Sequence, residues 1–226
     1  MTETCFRMKR RLDNQRLFGR LLVFLTVATM LSAGGAAAKK TEFTGPEPTT
    51  SGKLVGRLLV ATPRMRDPRF AKTVIFLVHH DDRGAMGLIV NRPIAVELAS
   101  KLLERMVGKD QSFDDGREVR IHYGGPVRPS QGIFLHSNDY SGNGTVTVTD
   151  QVSLTSNHDI LRAMAKGKGP TKGFLAMGYA GWGPGQLENE ILREDWVTVL
   201  PDDRLVFDDD MQSKWQRAMD KRSVDL

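Results

Sequence analysis

From residue 54 onward, hydrophobic positions fall into short runs separated by polar turns, and the length of these runs predicts a chain rich in strands. Val, Ile, Leu and Phe dominate segments that are bounded by Pro, Asp, Gly or Asn, which is typical of strands. The predicted strands cover residues 58–62, 73–79, 85–90, 119–123, 133–136, 145–152, 173–180 and 195–200. The polar turn at 81–84 is short enough to join the second and third strands as a hairpin.

Four other segments are predicted to be helical. In residues 96–106 the apolar side chains recur every three or four positions, which places them on one helix face. Ser156 is a suitable N-cap for a helix that runs to residue 167, Pro184 suits the first turn of another, and a last helix covers 211–219. Hairpin-like strand pairs mixed with helices predict an α+β fold: a single compact domain, residues 54–226, with a mixed sheet.

The first 53 residues follow a different pattern. A basic leader precedes the apolar residues 21–33 and the small residues 34–38, which is the order of a secretory signal. We therefore expect residues 1–38 to be a signal peptide or, if uncleaved, an N-terminal anchor. Residues 39–53 are polar, contain Pro46 and Pro48, and predict a flexible linker. The leader predicts a periplasmic or membrane-anchored protein, whereas translation from Met30 would give a cytoplasmic one.

Charge is distributed unevenly between the leader and the domain. Of the net charge of +5, residues 1–38 contribute six basic and two acidic side chains, while the remaining residues carry 26 basic and 25 acidic ones. The nearly neutral domain does not favour nucleic acid as a partner, and membrane contact is expected only through an uncleaved N-terminal segment. Cys5, the single cysteine, lies in the leader, so a processed chain would have no disulfide and no Cys-ligated metal.

Two groups of residues are candidates for catalysis or metal binding. The run from His79 to Asp82 contains four potential metal ligands, but adjacent strand residues point to opposite faces, so a polar turn is the favoured interpretation. Ser130 has His122 and His136 nearby in sequence, yet no nucleophile elbow surrounds it. We assign no catalytic residue, no metal ligand and no cofactor.

The segment 178–190 combines four glycines, a proline and two large aromatic residues, and it predicts a strand that turns through 181–183 into a helix. Glycines in such a run mark positive φ angles or close neighbours, and tryptophan needs a large covering surface. Glu188 and Glu190, near the start of this helix, are expected to stabilise it. A sharper hypothesis places a ligand groove there, with a candidate binding surface formed by Asn91, Arg92, Gly124, Gly125, Pro126, Trp182, Gln186 and Glu188.

Four segments together resemble the YqgE/AlgH family of bacterial proteins. They are LVATP at 59–63 with Asp67, Pro68 and Phe70; GAMGLIVNRP at 84–93; YGGPV at 123–127; and GYAGWGPGQLENE at 178–190. The resemblance spans residues 54–200 in the family's order. It implies a compact α+β fold with a branched mixed sheet and flanking helices, and it brings no catalytic residues. Family members look like cytoplasmic proteins, with a proposed link to transcriptional control of exopolysaccharide synthesis. The signal-like leader of this chain therefore departs from the family pattern.

These observations favour a non-enzymatic binding or regulatory domain whose partner is an unidentified protein or small ligand. Two alternatives stay open at this point. One is a hydrolase that uses Ser130 or a histidine. The other is a cytoplasmic, transcription-related regulator, which requires that the leader not be part of the native protein.

The leader predicts the residue at which the native chain begins. If signal peptidase cleaves after the small-residue segment, the intact mass of the protein from an exported cell fraction will correspond to a chain that begins at Lys39. A chain that begins near Met30 and fractionates with the cytoplasm would contradict export.

Overall fold

The computed structural model describes residues 54–108 and 117–222, so the predicted leader, the predicted linker and the last four residues lie outside the described part. The described strands are β1 (Leu58–Ala61), β2 (Val74–Asp81), β3 (Gly84–Ile89), β4 (Pro93–Leu98), β5 (Glu118–Tyr123), β6 (Val127–Ser137), β7 (Thr145–Thr147), β8 (Val152–Thr155), β9 (Gly173–Trp182) and β10 (Trp196–Val199). The described helices are α1 (Ala99–Val107), α2 (Asp159–Ala165), α3 (Gln186–Leu192), α4 (Asp203–Phe207) and α5 (Met211–Lys221). None of these helices is long and apolar enough to cross a bilayer.

The strands form one branched sheet with the order β10-β1-β2-β3-β9-β6-β8-β7, and β4 and β5 make the branch. The first half of β9 lies between β6, which is antiparallel to it, and β5, which is parallel. The second half of β9 pairs with β3. Because the β5–β9 pair is parallel and the other described pairs are antiparallel, the sheet is mixed, and the predicted α+β fold with flanking helices is confirmed.

Helices cover both faces of the sheet, and β1 shows this most directly. Leu58 and Val60 pack in a cluster that includes residues of α4 and α5, whereas Leu59 and Ala61 pack with α3 and Trp196. A third cluster joins α1 and α2 to the β5, β6 and β9 region. A strand buried on both faces is apolar at every position, which explains the continuous apolar runs in the sequence.

The branch depends on a close approach between the turn that follows β5 and strand β9. The backbone N–H of Gly124 donates to Met177 (2.8 Å), and its carbonyl accepts from Ile89 (3.0 Å), so the turn is bonded to both neighbouring strands. A Cβ at Gly125 would overlap the backbone of Tyr179, and a Cβ at Gly178, where φ is 70°, would overlap the carbonyl oxygen of Gly125. Glycine is required here because no side chain fits between the two backbones.

The structure corrects the start of the first predicted helix. Residues 96–98 belong to β4 instead, where Val96 pairs with Arg120 and Leu98 pairs with Glu118, and α1 begins only at Ala99. The apolar spacing of the segment fits a helix, but pairing with β5 decides the conformation of its first three residues.

Further elements also differ from the predictions. β6 begins at Val127 rather than at 133, and α4 is a helix that the sequence did not predict. The strand predicted over 145–152 is two strands, β7 and β8, because the chain reverses where Val148 N–H donates to the Val152 carbonyl (2.9 Å). The N-cap of α2 is His158 rather than Ser156. Strand β9 continues to Trp182 without turning at 181, and Pro184 lies in the turn before α3, whose N-cap is Gly185 at φ 70°.

Candidate functional site

A groove with a volume of about 510 Å³ lies where the end of β9, the start of β6, helix α3 and the loop after β1 meet. We call it the tryptophan groove. It is lined by Met65, Arg66, Asp67, Arg69, Phe70, Pro126, Val127, Gly181, Trp182, Gln186, Glu190, Arg193 and Asp195.

One wall of the tryptophan groove is aromatic. Trp182 and Trp196 meet edge to face with ring centroids 6.0 Å apart, and Phe70 meets Trp196 in the same way at 5.6 Å. The edge of one ring is positive and the face of another is negative, so these contacts add to the stabilisation from burial. The Arg69 guanidinium lies 5.8 Å from the Phe70 ring centroid and extends the wall toward solvent.

Glu190 of α3 holds this wall in place. Its Oε2 atom accepts hydrogen bonds from the indole N–H groups of Trp182 and Trp196, each at 2.8 Å. Its Oε1 atom accepts from the Gln186 side chain (2.9 Å), and Gln186 in turn accepts from the backbone N–H of Gly183 (3.1 Å). One carboxylate therefore ties the last residue of β9 and the first residue of β10 to α3.

Most charges on the rim of the tryptophan groove are paired within it. Arg69 donates to Asp67 (2.7 Å), and this hydrogen bond lowers the pKa of the Asp67 carboxyl group. Arg193 pairs with Asp195 at 3.1 Å. Arg66 is exposed and makes no hydrogen bond or ion pair with any described residue, and the lining as a whole holds three arginines and three carboxylates.

Three residues of the predicted binding surface line the tryptophan groove: Pro126, Trp182 and Gln186. Gly124 and Gly125 lie behind it, buried where the turn contacts β9. The structure therefore brings three of the eight predicted residues together in the groove, whereas the two glycines contribute to the backbone crossing and have no side chain to contact a ligand.

Two other predicted residues, Asn91 and Arg92, form hydrogen bonds with backbone atoms at the start of β2 and in the loop before it. Asn91 accepts from the backbone N–H of Val74 and donates to the carbonyl of Lys72, each at 2.9 Å. Arg92 donates to the carbonyl of Ala71 (3.0 Å). Their polar groups bind backbone atoms of this loop, outside the groove lining.

Glu188, the eighth predicted residue, contacts His80 at 2.7 Å on the other side of α3. A hydrogen bond from its own backbone N–H and the contact with His80 lower the pKa of its carboxyl group. The run 79–82, expected as a polar turn, belongs to β2 as far as Asp81, and buried His79 lies 3.2 Å from Asp81. The contact between His80 and Glu188 joins α3 to the β2–β3 hairpin.

Glu190 is the residue that sequence reasoning missed. The sequence offered it only as a helix-stabilising partner of Glu188. The signal that could have found it is the presence of two tryptophans nearby, because buried indole N–H groups need an acceptor. Which carboxylate accepts these hydrogen bonds depends on how α3 is rotated about its own axis. The spacing of residues along the sequence does not determine that rotation.

The hydrolase candidates are separated in the fold. Ser130 is exposed in β6 and has no side-chain hydrogen bond among the described residues. His136 is buried and bonded through one nitrogen to Thr155 (2.8 Å) and through the other to the Ser137 carbonyl (2.9 Å). The contacts of His136 therefore do not activate Ser130.

His122 is fully buried and stacks on Phe174 with ring centroids 4.1 Å apart. Neither ring nitrogen has a hydrogen-bond partner among the described residues. Burial, together with the positive charges of Arg120 and Lys214, lowers the pKa of His122 from 6.5 to about 3, and the Val90 backbone opposes this shift. The ring is therefore neutral and enclosed.

Comparisons with known proteins give a consistent result. A family model described as AlgH-like matches residues 58–226. A UPF0301 protein of Afipia carboxidovorans is 45% identical over 179 residues, which is 76% of this chain and 85% of the relative. A UPF0301 protein of Bradyrhizobium diazoefficiens is 42% identical over 203 residues, which is 87% of this chain and 95% of the relative.

Two solved structures are similar to this fold. The solution structure of AlgH from Pseudomonas aeruginosa has a TM-score of 0.64 and 33% identity, and the match covers 80% of this chain and 92% of that one. A crystal structure of a protein from Corynebacterium diphtheriae has a TM-score of 0.56 and 18% identity, covering 76% of this chain and 93% of that one. The second likeness shows the fold alone.

The Glu190 contacts predict a specific loss of stability. Glu190→Ala leaves two indole N–H groups without their acceptor, one of them on Trp196, which is only 1% exposed. We expect the free energy of unfolding in urea to fall by about 2–4 kcal/mol. The matched control, Glu188→Ala, removes an exposed carboxylate from the same helix and should cost less than about 1 kcal/mol. Equal losses in the two variants would contradict the role of Glu190.

His122 predicts a pH dependence. Between its unfolded pKa of about 6.5 and its folded pKa of about 3, the unfolded chain binds a proton that the folded chain does not, so stability falls as the pH falls through this window. The contribution approaches about 1.4 kcal/mol per pH unit. His122→Phe removes it, so urea unfolding at several pH values should show the advantage of the wild type over the variant shrinking toward acid. A difference that does not change with pH would contradict the buried neutral ring.

Proposed function

This chain belongs to the AlgH-like family, and for this member we propose a non-enzymatic binding or regulatory domain that holds a protein segment or small ligand in the tryptophan groove. The family resemblance of the four sequence segments is confirmed by the family model, the relatives and the AlgH structure. Three of those segments supply residues of the groove: Phe70 comes from the first, Pro126 from the third and Trp182 from the fourth.

The observation that supports the proposal most is that contacts within the protein hold the aromatic wall of the groove in place. Trp182 is fixed by its hydrogen bond to Glu190 and by its contact with Trp196, so the aromatic wall needs no rearrangement before binding. A surface that is ordered in advance loses less conformational entropy on association, which favours affinity. The volume and the mixture of apolar wall and polar rim are those of ligand sites in general.

The two alternatives have less support. A hydrolase would need a base beside Ser130, and His136 is occupied by other bonds while His122 is enclosed. A transcription-related regulator could use the same groove for a protein partner but requires a cytoplasmic chain, so the mass of the native protein separates it from an exported binding domain.

The proposal predicts that filling the groove abolishes binding without unfolding the domain. Trp182→Ala is unsuitable, because Trp182 is 7% exposed and belongs to the core. Gly181→Leu is better, because Gly181 is exposed and a Cβ there meets its nearest atom, Tyr179 Cε2, at 3.4 Å. Small-molecule fragments screened by nitrogen-15 NMR against the full chain should shift the Trp182 indole signal, and the shifts should vanish in Gly181→Leu.

The matched control is Thr147→Leu, which adds a leucine to an exposed strand position in β7, outside the groove lining. It should keep the wild-type shifts, and both variants should keep dispersed spectra. Fragments that bind a folded Gly181→Leu variant as well as the wild type would overturn the groove as the binding site.

A further inference from the structure

A tight exposed turn precedes β7, far along the sheet from the tryptophan groove. The backbone N–H of Thr145 donates to the carbonyl of Gly142 (3.1 Å), and the Thr145 hydroxyl accepts from the backbone N–H of Gly142 (3.0 Å). Asn143 and Gly144 are the two central residues of this turn, and both are exposed. Gly144 has φ 74°, which the third position of a type II turn requires and which glycine adopts without strain.

Two reactive groups of this turn are free of hydrogen bonds. Neither the side-chain amide of Asn143 nor the backbone N–H of Gly144 bonds to any described residue. By contrast, the amide of Asn138 donates to the carbonyl of Thr149 (2.8 Å) and accepts from the Ser153 hydroxyl. Asn143-Gly144 is also the one Asn-Gly step in the sequence. An unbonded amide therefore lies next to an unbonded backbone nitrogen that no neighbouring Cβ shields.

We propose that Asn143 is a site of spontaneous modification, at which the Gly144 nitrogen attacks the side-chain amide and converts it to aspartate and isoaspartate. A base in the solvent takes the N–H proton of Gly144, and the nitrogen then forms a bond with Cγ of Asn143. The bond between Cγ and Nδ2 breaks, and the nitrogen takes up protons from water and leaves as ammonia. The product of this step is a cyclic imide.

Water completes the reaction by opening the imide at either of its carbonyl groups. Breaking the bond between the Gly144 nitrogen and Cγ gives aspartate at position 143. Breaking the bond between the same nitrogen and the main-chain carbonyl carbon gives isoaspartate, in which the main chain runs through Cβ and Cγ. Both products exchange a neutral amide for a carboxylate, and the reaction consumes only water.

The position of the turn favours this reaction. Because Gly144 has no Cβ, its own side does not obstruct the approach of the nitrogen to Cγ. Ring closure needs the turn to open briefly, and the turn leads into β7, a strand of three residues at the end of the sheet. Short exposed segments at a sheet edge open locally at much lower free energy than the core.

The modification has a route from the exposed turn to the interior. The hydroxyl groups of Thr145 and Thr155 are hydrogen-bonded (2.7 Å), and the Thr155 hydroxyl also bonds to Nε2 of His136 (2.8 Å). Thr155 and His136 are fully buried. Isoaspartate lengthens the main chain directly before Gly144, so we expect it to displace Thr145 and break its bond with Thr155. Aspartate keeps the length of the main chain and adds only a charge.

The test incubates the folded full chain in mildly alkaline buffer and follows each asparagine by peptide mapping with fragmentation mass spectrometry. A methyltransferase that labels isoaspartate distinguishes the two products. Asn143 should convert with first-order kinetics, whereas Asn138 and Asn157, whose side chains are hydrogen-bonded, should remain amides. The rate should rise about tenfold per pH unit, because the deprotonated fraction of a group far below its pKa rises by that factor.

Variants separate the chemistry from its structural effect. Asn143→Gln should abolish the conversion, because its longer side chain closes the ring far less readily, and it should keep the wild-type spectrum. Asn143→Asp reproduces the charge of the aspartate product with an unchanged main chain. In nitrogen-15 NMR spectra, the isoaspartate form should show shifted Thr155 and His136 signals, whereas Asn143→Asp should retain the wild-type positions.

A sample unfolded in urea supplies the reference rate. Conversion of Asn143 in the unfolded chain but not in the folded one, over the same time, would overturn the proposal, because the turn would then block ring closure. Equal conversion of Asn138 and Asn143 in the folded chain would overturn the argument from free amide groups. Unchanged His136 and Thr155 signals in the isoaspartate form would overturn the route to the interior. None of these outcomes depends on the tryptophan groove.

Discussion

The contact between the backbone of the Gly124–Gly125 turn and strand β9 is the constraint on which the rest of the structure depends. Because of this contact, the first half of β9 pairs with β5 and its second half pairs with β3. Any side chain at this crossing would separate the turn from β9 and break its bonds to Met177 and Ile89. The branch therefore exists because two backbones approach without side chains between them.

The groove follows from this crossing. Pro126 and Val127 leave the turn beside β9, where Val127 pairs with Tyr179, and β9 continues beyond this pair to Trp182, so both segments contribute to the lining of the groove. Glu190 then closes the far side by binding Trp182 and Trp196 to α3. A carboxylate among aromatic rings would be costly without donors, and here the two indole N–H groups and the Gln186 amide supply them.

Burial shifts the pKa of two groups that lie outside the groove lining. Burial lowers the pKa of Lys214, although its ammonium group lies 3.2 Å from Asp208, and burial also lowers that of His122. Perturbed groups often identify catalytic sites, but these two are fully buried and contribute to the packing of α5 and β5 against the sheet. The groove is distinguished by its geometry, in which Glu190 holds Trp182 and Trp196 against α3.

The sequence by itself determined most of the strands, the mixed α+β class and the family, because apolar runs bounded by turn residues encode local structure directly. It also identified Trp182 and Gln186, since costly aromatic and glycine residues cluster there. It placed Val96 in a helix and assigned no special role to Glu190. Only the tertiary structure decided these points: Val96 is a strand residue because β5 lies beside it, and Glu190 matters because α3 turns it toward two indoles that lie eight positions before it and six after it. Contacts between distant segments leave no periodic signal in the chain, so local pattern could not supply them.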